Sequence, residues 1–227
     1  LGVSIKKLTG DKIFLADTNG DFWSGSAFMV RDYKSNKIFP ILPGRFVWNI
    51  SPKLLFGYFD GNISNKSLSA TPIEIKGWVG NLRIQESQIK LNRDFLSQLG
   101  APFNTIRPRG SVLLAWDDLI LVLEGKMPKI YGKITLKLTN LVTNLSPVKP
   151  LGDYLIELNL QGESGDFQLS SLRGPLLLSG EGIIEMGSVK FSGLADAETE
   201  KERLKNLMNL LGQWETLNGR DVVTLEF

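Results

Sequence analysis

Three serine–lysine pairs stand at Ser-x-x-Lys spacing: Ser4/Lys7, Ser87/Lys90 and Ser146/Lys149. This is the one arrangement in the chain that could activate a nucleophile without an imidazole. Enzymes built on it carry companion Ser-Asp-Asn and Lys-Thr-Gly elements, and neither occurs here. In a chain rich in serine and lysine the spacing is expected by chance. The adjacent Asp117 and Asp118 could be weighed as a glycosidase pair, whose acid and base sit roughly 5–10 Å apart. In a strand, neighbours point to opposite faces, and in a turn both carboxylates simply face water, which is the favoured reading. Asp17-Thr18-Asn19-Gly20-Asp21 starts like a calcium loop, but Phe28 stands where the closing glutamate should be. No Gly-x-x-x-x-Gly-Lys-Ser/Thr loop is present, and Gly180-x-Gly182 lacks a third glycine.

Histidine and cysteine are both absent. That removes imidazole bases, thiol nucleophiles, disulfides and the usual zinc sites together. The expectation is a non-enzyme with no catalytic, cofactor-binding or metal-ligating residue.

The elements that would have to position any chemistry are strands. Ile134, Leu136 and Leu138 alternate with Thr135, Lys137 and Thr139. Tyr154, Ile156, Leu158 and Leu160 share one parity, and Val223, Leu225 and Phe227 share another. Period-two alternation gives each segment one buried and one wet face. Turn residues punctuate the runs at Thr18–Asp21, Asp60-Gly61-Asn62, Gly162–Asp166 and Gly180-Glu181-Gly182. The pattern reads as an antiparallel meander of roughly twelve to fifteen strands, each of about five to six residues.

Two stretches read as helix. Arg93–Leu99 is short and stops at Gly100 and Pro102. Ala197–Leu211 places Leu204, Leu207, Met208 and Leu211 at three- and four-residue steps. Thr199 and Glu202 have capping-box spacing, Asp196 is an equally good cap, and Gly212 supplies the stop. The apolar stripe is expected to pack on the sheet. Trp23, Trp48, Trp78 and Trp116 fall in or beside strands, and Trp214 follows the longer helix. Their neighbours are glycine, serine and aliphatics, so core and sheet-face packing is the expected role.

With 26 basic and 24 acidic residues there is no electrostatic footprint for nucleic acid. A 42% hydrophobic, 227-residue chain is long enough for one sizeable core. The expected organisation is a single β-rich domain over residues 1–227, with a weak internal repeat spanning roughly 20–65 and 109–140. The repeat rests on Pro43–Trp48 followed by Gly57, and Arg109–Trp116 followed by Gly125. No apolar run reaches the roughly 18–20 residues of a spanning helix. A start at Leu1 rather than Met leads to the expectation of an anchor or signal sequence ahead of it.

Several patterns then occur in a familiar order. Gly20–Ala27 contains an aromatic–Trp–Ser–Gly element, and Phe46–Ile50 leads through Pro52 to Leu54–Gly57. Arg107–Gly110 opens a strand that runs to Trp116. Pro150–Tyr154 leads through the alternating strand to Gly174–Gly182, and the chain closes with Leu207–Gly212 and a short strand. In this order the set resembles the N protein family of the bacterial type II secretion system, over nearly the whole chain. The resemblance implies a Gram-negative inner-membrane protein with one spanning helix and a periplasmic domain. It implies partners among the inner-membrane platform proteins and the secretin, and no catalytic residues. The expected fold is mainly β, a long twisted antiparallel sheet or open barrel with one C-terminal amphipathic helix and one short helix. Two roles stay open: a non-enzymatic accessory domain docking other secretion components, or an envelope groove protein holding lipid or another hydrophobic ligand.

Overall fold

The computed structural model describes residues 13–33, 37–40, 42–91, 96, 106–125, 127–185, 188–197, 199–217 and 219–226. The N-terminal strands are β1 (Ile13–Gly20), β2 (Ser24–Tyr33), β3 (Lys37–Pro40), β4 (Phe46–Ile50), β5 (Tyr58–Ser64), β6 (Ile73–Trp78), β7 (Asn81–Ile84) and β8 (Ser87–Leu91). They are followed by β9 (Arg109–Trp116), β10 (Leu119–Val122), β11 (Lys129–Val142), β12 (Gly152–Gly162), β13 (Ser164–Arg173), β14 (Leu176–Glu185) and β15 (Ser188–Ala197). Helix α1 (Lys201–Leu211) then leads to β16 (Gln213–Leu217) and β17 (Arg220–Glu226).

Among the described residues, all seventeen strands belong to one antiparallel sheet that does not close into a barrel. With β3 and β4, β7 and β8, and β9 and β10 each counted as one position, it is a meander in which each position lies against the one before, except that β17 inserts between β15 and β16. Three positions across the sheet are each held by two short strands, which is why the count exceeds the sequence-based one. β3 and β4 both pair with the same side of β2. β7 and β8 face β10 and β9 in one continuous register, Ile84 opposite Leu119 and Ser87 opposite Trp116. The break falls at Asp117-Asp118, where the pairing with β11 slips by one residue. Gly132 lies opposite with φ +132°, and a Cβ there would come within 2.7 Å of the Leu119 side chain, so the bulge needs a glycine.

Residues directly opposed across a ladder share a face, and following them shows one apolar face along the whole sheet. It runs from Leu15 and Met29 through Trp48, Ile63, Ile75, Ile84, Leu119 and Ile130 to Ile156, Leu169 and Ala195. At the C-terminal end α1 covers it. Leu204, Leu207 and Met208 are buried against Ala195, Val223 and Leu225, each side chain stabilising the fold by about 1.5–3 kcal/mol. In the middle, Tyr154, Val112, Leu138 and Leu141 form a second core with Leu68, Leu91 and Leu96. The two cores are tied together by the Tyr154 hydroxyl, which donates to the Leu176 carbonyl at 2.9 Å.

Several sequence-based expectations need correction. The helix does not begin at Ala197, which ends β15. Asp196 sits in that strand opposite Leu177, its carboxylate accepting from the Ala197 N–H at 2.7 Å. Neither it nor Thr199 caps α1. The N-cap is Glu200, at φ +61° and without a side-chain capping bond, and the stop at Gly212 is as expected. The Arg93–Leu99 helix falls outside the described residues apart from Leu96, and Phe227 falls outside them too. Asp60-Gly61-Asn62 is not a turn but the middle of β5, and Gly180-Glu181-Gly182 is the middle of β14. In both, glycine makes room for an aromatic ring. A Cβ on Gly61 would come within 3.2 Å of the Phe59 ring, and one on Gly182 within 2.3 Å of Phe167. The Gly162–Asp166 turn is confined to Glu163, between β12 and β13. A 3₁₀ helix at Pro52–Phe56 was not anticipated, although Ser51 as cap, Pro52 at its start and Gly57 at φ +84° as stop spell it out.

Candidate functional site

The residues considered for chemistry are scattered. Ser87 and Lys90 lie three apart on β8, hence on opposite faces, with Ser87 Oγ buried and Lys90 exposed. Ser146 is buried, its Oγ accepting from the Val148 N–H at 3.1 Å, while Lys149 is exposed. Neither pair forms a dyad, and Ser4/Lys7 falls outside the described residues. Asp118 is occupied by Arg83 and by the Glu86 N–H, and the guanidinium holds its carboxyl below the ordinary range. Asp17 pairs with Arg45. Asp21 accepts the Trp23 and Ser24 N–H groups, each at 2.8 Å, which closes the β1–β2 turn. No group of three metal-ligating side chains occurs among the described residues.

One buried carboxylate stands out, and it is structural. Asp153 on β12 accepts the Asn140 N–H at 2.7 Å and the Arg173 Nε–H at 2.5 Å. Asn140, at φ +52°, sits where β11 bulges. The bond from Asn140, then that from Arg173, hold the Asp153 carboxyl below its ordinary value against the opposing effect of burial.

Two surface features stand out. The first is the edge strand β16, which pairs only with β17 among the described residues and whose five residues are all exposed. Alongside it Lys201, Lys205 and Asn209, one helical turn apart on α1, form the far wall of a cleft of about 420 Å³. Trp214 is its floor: its Nε1–H donates to Asn209 Oδ1 at 2.5 Å, and the Lys201 ammonium lies 5.8 Å from the ring centre. Lys201 also donates to the Asp221 carbonyl at 3.0 Å. The cleft thus lies between α1 and the β16–β17 pair, beside the outer edge of β16.

The second is an apolar cavity of about 280 Å³ at the opposite end of the sheet, on a stretch of the apolar face that no helix covers among the described residues. Phe46, Trp48 and Ile50 of β4 share its floor with Phe59 and Ile63 of β5 and Ile75 of β6. The Trp48 ring lies on Gly25, where a Cβ would clash at 2.4 Å, and its Nε1–H is already spent on the Asp21 and Phe22 carbonyls. Reading Asp60-Gly61-Asn62 as a turn split β5 and hid this site. The signal was there, in the shared parity of Phe59, Gly61 and Ile63. None of the five tryptophans is fully buried, so their role is sheet-face packing and surface, not core. Trp78 in particular is 64% exposed.

No helix among the described residues is long and apolar enough to cross a membrane. No curated protein and no solved structure matches the chain. The family model for type II secretion system protein N does, over residues 11–220. That span takes in β1 to the first residue of β17, with the apolar cavity and the whole of β16, and the chain belongs to the type II secretion system protein N family.

Proposed function

We propose that this component of the type II secretion apparatus acts as a single non-catalytic periplasmic domain that docks other secretion components, the inner-membrane platform proteins and the secretin, by taking a partner's strand onto β16. One observation carries the reading: β16 offers an unpaired backbone edge beside a preformed helical wall. An edge strand is a template for an added strand, and recognition by strand addition draws affinity from main-chain hydrogen bonds and specificity from pockets for alternate side chains. Here Trp214 and the Lys201–Lys205 stripe would read those side chains. The near-neutral mixture of Lys201, Lys205, Glu202, Glu215 and Asp221 around the cleft favours a contact governed by backbone pairing, with weak salt dependence.

The test is a photo-crosslinker placed at Thr216 or Leu217 in secreting cells, with Lys133 on β11 as the control position. Adducts with platform proteins or the secretin at β16 and not at Lys133 are the expected outcome. Adducts to secretion components only at the control, or none at either site, would overturn the docking surface.

A further inference from the structure

At one end of the sheet the loops carry large apolar side chains straight into solvent. The β4–β5 connection presents Leu55 and Phe56, 74% and 84% exposed, and the β6–β7 turn presents Trp78 and Val79, 64% and 63% exposed. The β10–β11 turn adds Leu123, and the β1–β2 turn adds Phe22. These four connections follow the same ends of their strands, because Ser24 pairs with Asn49, Tyr58 with Trp78, and Asn81 with Val122. Backbone bonds stitch neighbouring tips together: Val79 N–H to the Gly57 carbonyl and Leu123 N–H to the Gly80 carbonyl, both at 2.8 Å. Scattered exposed apolar residues are normal, but a contiguous row of them marks a contact surface. Trp and Phe at loop tips suit the boundary between headgroups and acyl chains.

Phe22 belongs both to this row and to the lining of the apolar cavity. The cavity offers an occupant no hydrogen-bonding side chain. Trp48 Nε1–H is satisfied internally, and the parity of Asn62 sends its amide to the other face of β5. A peptide there would leave backbone polar groups unpaired, and a helix about 10 Å wide is too broad for about 280 Å³. Hydrocarbon fits: an apolar cavity of about 150 Å³ already accepts benzene, and small-molecule sites start near 300 Å³.

We propose that this end of the sheet rests on a lipid bilayer through Leu55, Phe56, Trp78 and Val79, and that the cavity behind it takes one acyl chain of a bilayer lipid. The inference is independent of the docking at β16, which lies at the far edge of the sheet, and a test with pure lipid cannot be confused with it.

The full chain is mixed with vesicles of phosphatidylethanolamine and phosphatidylglycerol carrying a trace of radiolabelled phospholipid. Flotation reads binding, and the protein is then separated and its retained lipid counted. Wild type should float with the vesicles and leave with up to one lipid per chain. The double variant Leu55→Ser/Phe56→Ser, at sites too exposed to affect folding, should lose binding at least tenfold. Ile63→Gln should float normally and retain no lipid. Met29→Gln, at a cavity-lining position away from the exposed row, serves the same purpose should Ile63→Gln fail to fold. No flotation, or flotation unchanged in the double variant, would overturn the membrane contact. Flotation without retained lipid, or retention unaffected by both cavity variants, would overturn the acyl site. A parallel arm with lauric acid in place of vesicles separates the sources: retention of the free acid by a protein that does not float would overturn a bilayer origin.

Discussion

Replacing Gly182 with alanine would place a methyl carbon 2.3 Å from Phe167 Cζ and 2.6 Å from the Lys190 carbonyl oxygen. Carbon atoms rest about 3.5–4.0 Å apart, so the ring must retreat by more than about 1 Å. It is not free to do so. Phe167, Gly182 and Phe191 are directly opposed across β13, β14 and β15, and the two rings stack at 5.8 Å with planes 7° apart. Phe191 in turn lies in the core beneath α1. Overpacking costs about 1–3 kcal/mol and a disturbed aromatic pair about 0.5–1.5 kcal/mol, so Gly182→Ala should destabilise by about 3 kcal/mol. For a chain of this size that lowers Tm by about 6–12 °C. Urea unfolding followed by circular dichroism measures it. The ring is identified as the cause by a double-mutant cycle: in a Phe167→Leu background the cost of Gly182→Ala should shrink by about 1 kcal/mol or more. A loss below about 1 kcal/mol, or strict additivity of the two changes, would refute the reasoning.

Asp153→Asn removes the charge that answers Arg173 and should cost about 1–3 kcal/mol near neutral pH. Because the folded carboxyl lies below its ordinary value, its contribution is complete above about pH 4 and fades as pH falls through the folded pKa. Wild type should therefore lose stability on acidification more steeply than the variant, as unfolding midpoints between pH 6 and pH 3 would show. Leu207→Ala, at a side chain 1% exposed in the core under α1, should cost about 2–5 kcal/mol. Leu210→Ala, on the exposed face of the same helix, should stay within about 0.5 kcal/mol. Equal losses in the two would mean that α1 does not rest on the sheet through that stripe.

The sheet was legible wherever alternation was unbroken. Ile134–Leu138 and Tyr154–Leu160 are strands as their alternation implied, and they stand opposite one another in a single register. Reading failed where glycine had two meanings. At Gly57 the residue ends a helix at positive φ. At Gly61, Gly180 and Gly182 it stays extended and yields space to a ring on a neighbouring strand or two residues away, which only the three-dimensional pairing reveals. The helix start failed for a related reason: Asp196 and Thr199 are good caps locally, but the pairing of β14 with β15 holds Asp196 in the sheet. The β16 edge could not have been foreseen, because nothing local says that β17 would insert between β15 and β16.

The apolar tips are held outward by backbone geometry. Val79-Gly80 joins β6 to β7 directly across from the Trp78–Asn81 pair, with Gly80 at φ +105°. So tight a turn leaves Val79 no path back onto the sheet. Gly57 at φ +84° ends the 3₁₀ helix one residue after Phe56, and Gly125 at φ +84° follows Leu123. A Cβ on Gly80 or Gly125 would meet nothing within 4 Å, so these glycines serve chain reversal, not packing. A fold seeking only solubility would place a charged residue at such positions, as the sheet does at the β12–β13 turn with Glu163, which pairs with Lys129. Hydrophobic residues held outward at neighbouring turns, beside an apolar cavity that no described helix covers, suit the N-terminal end of the sheet to the bilayer contact proposed above, while α1 covers the C-terminal end. The same sheet thus has one end closed by its own helix and one end shaped to meet hydrocarbon.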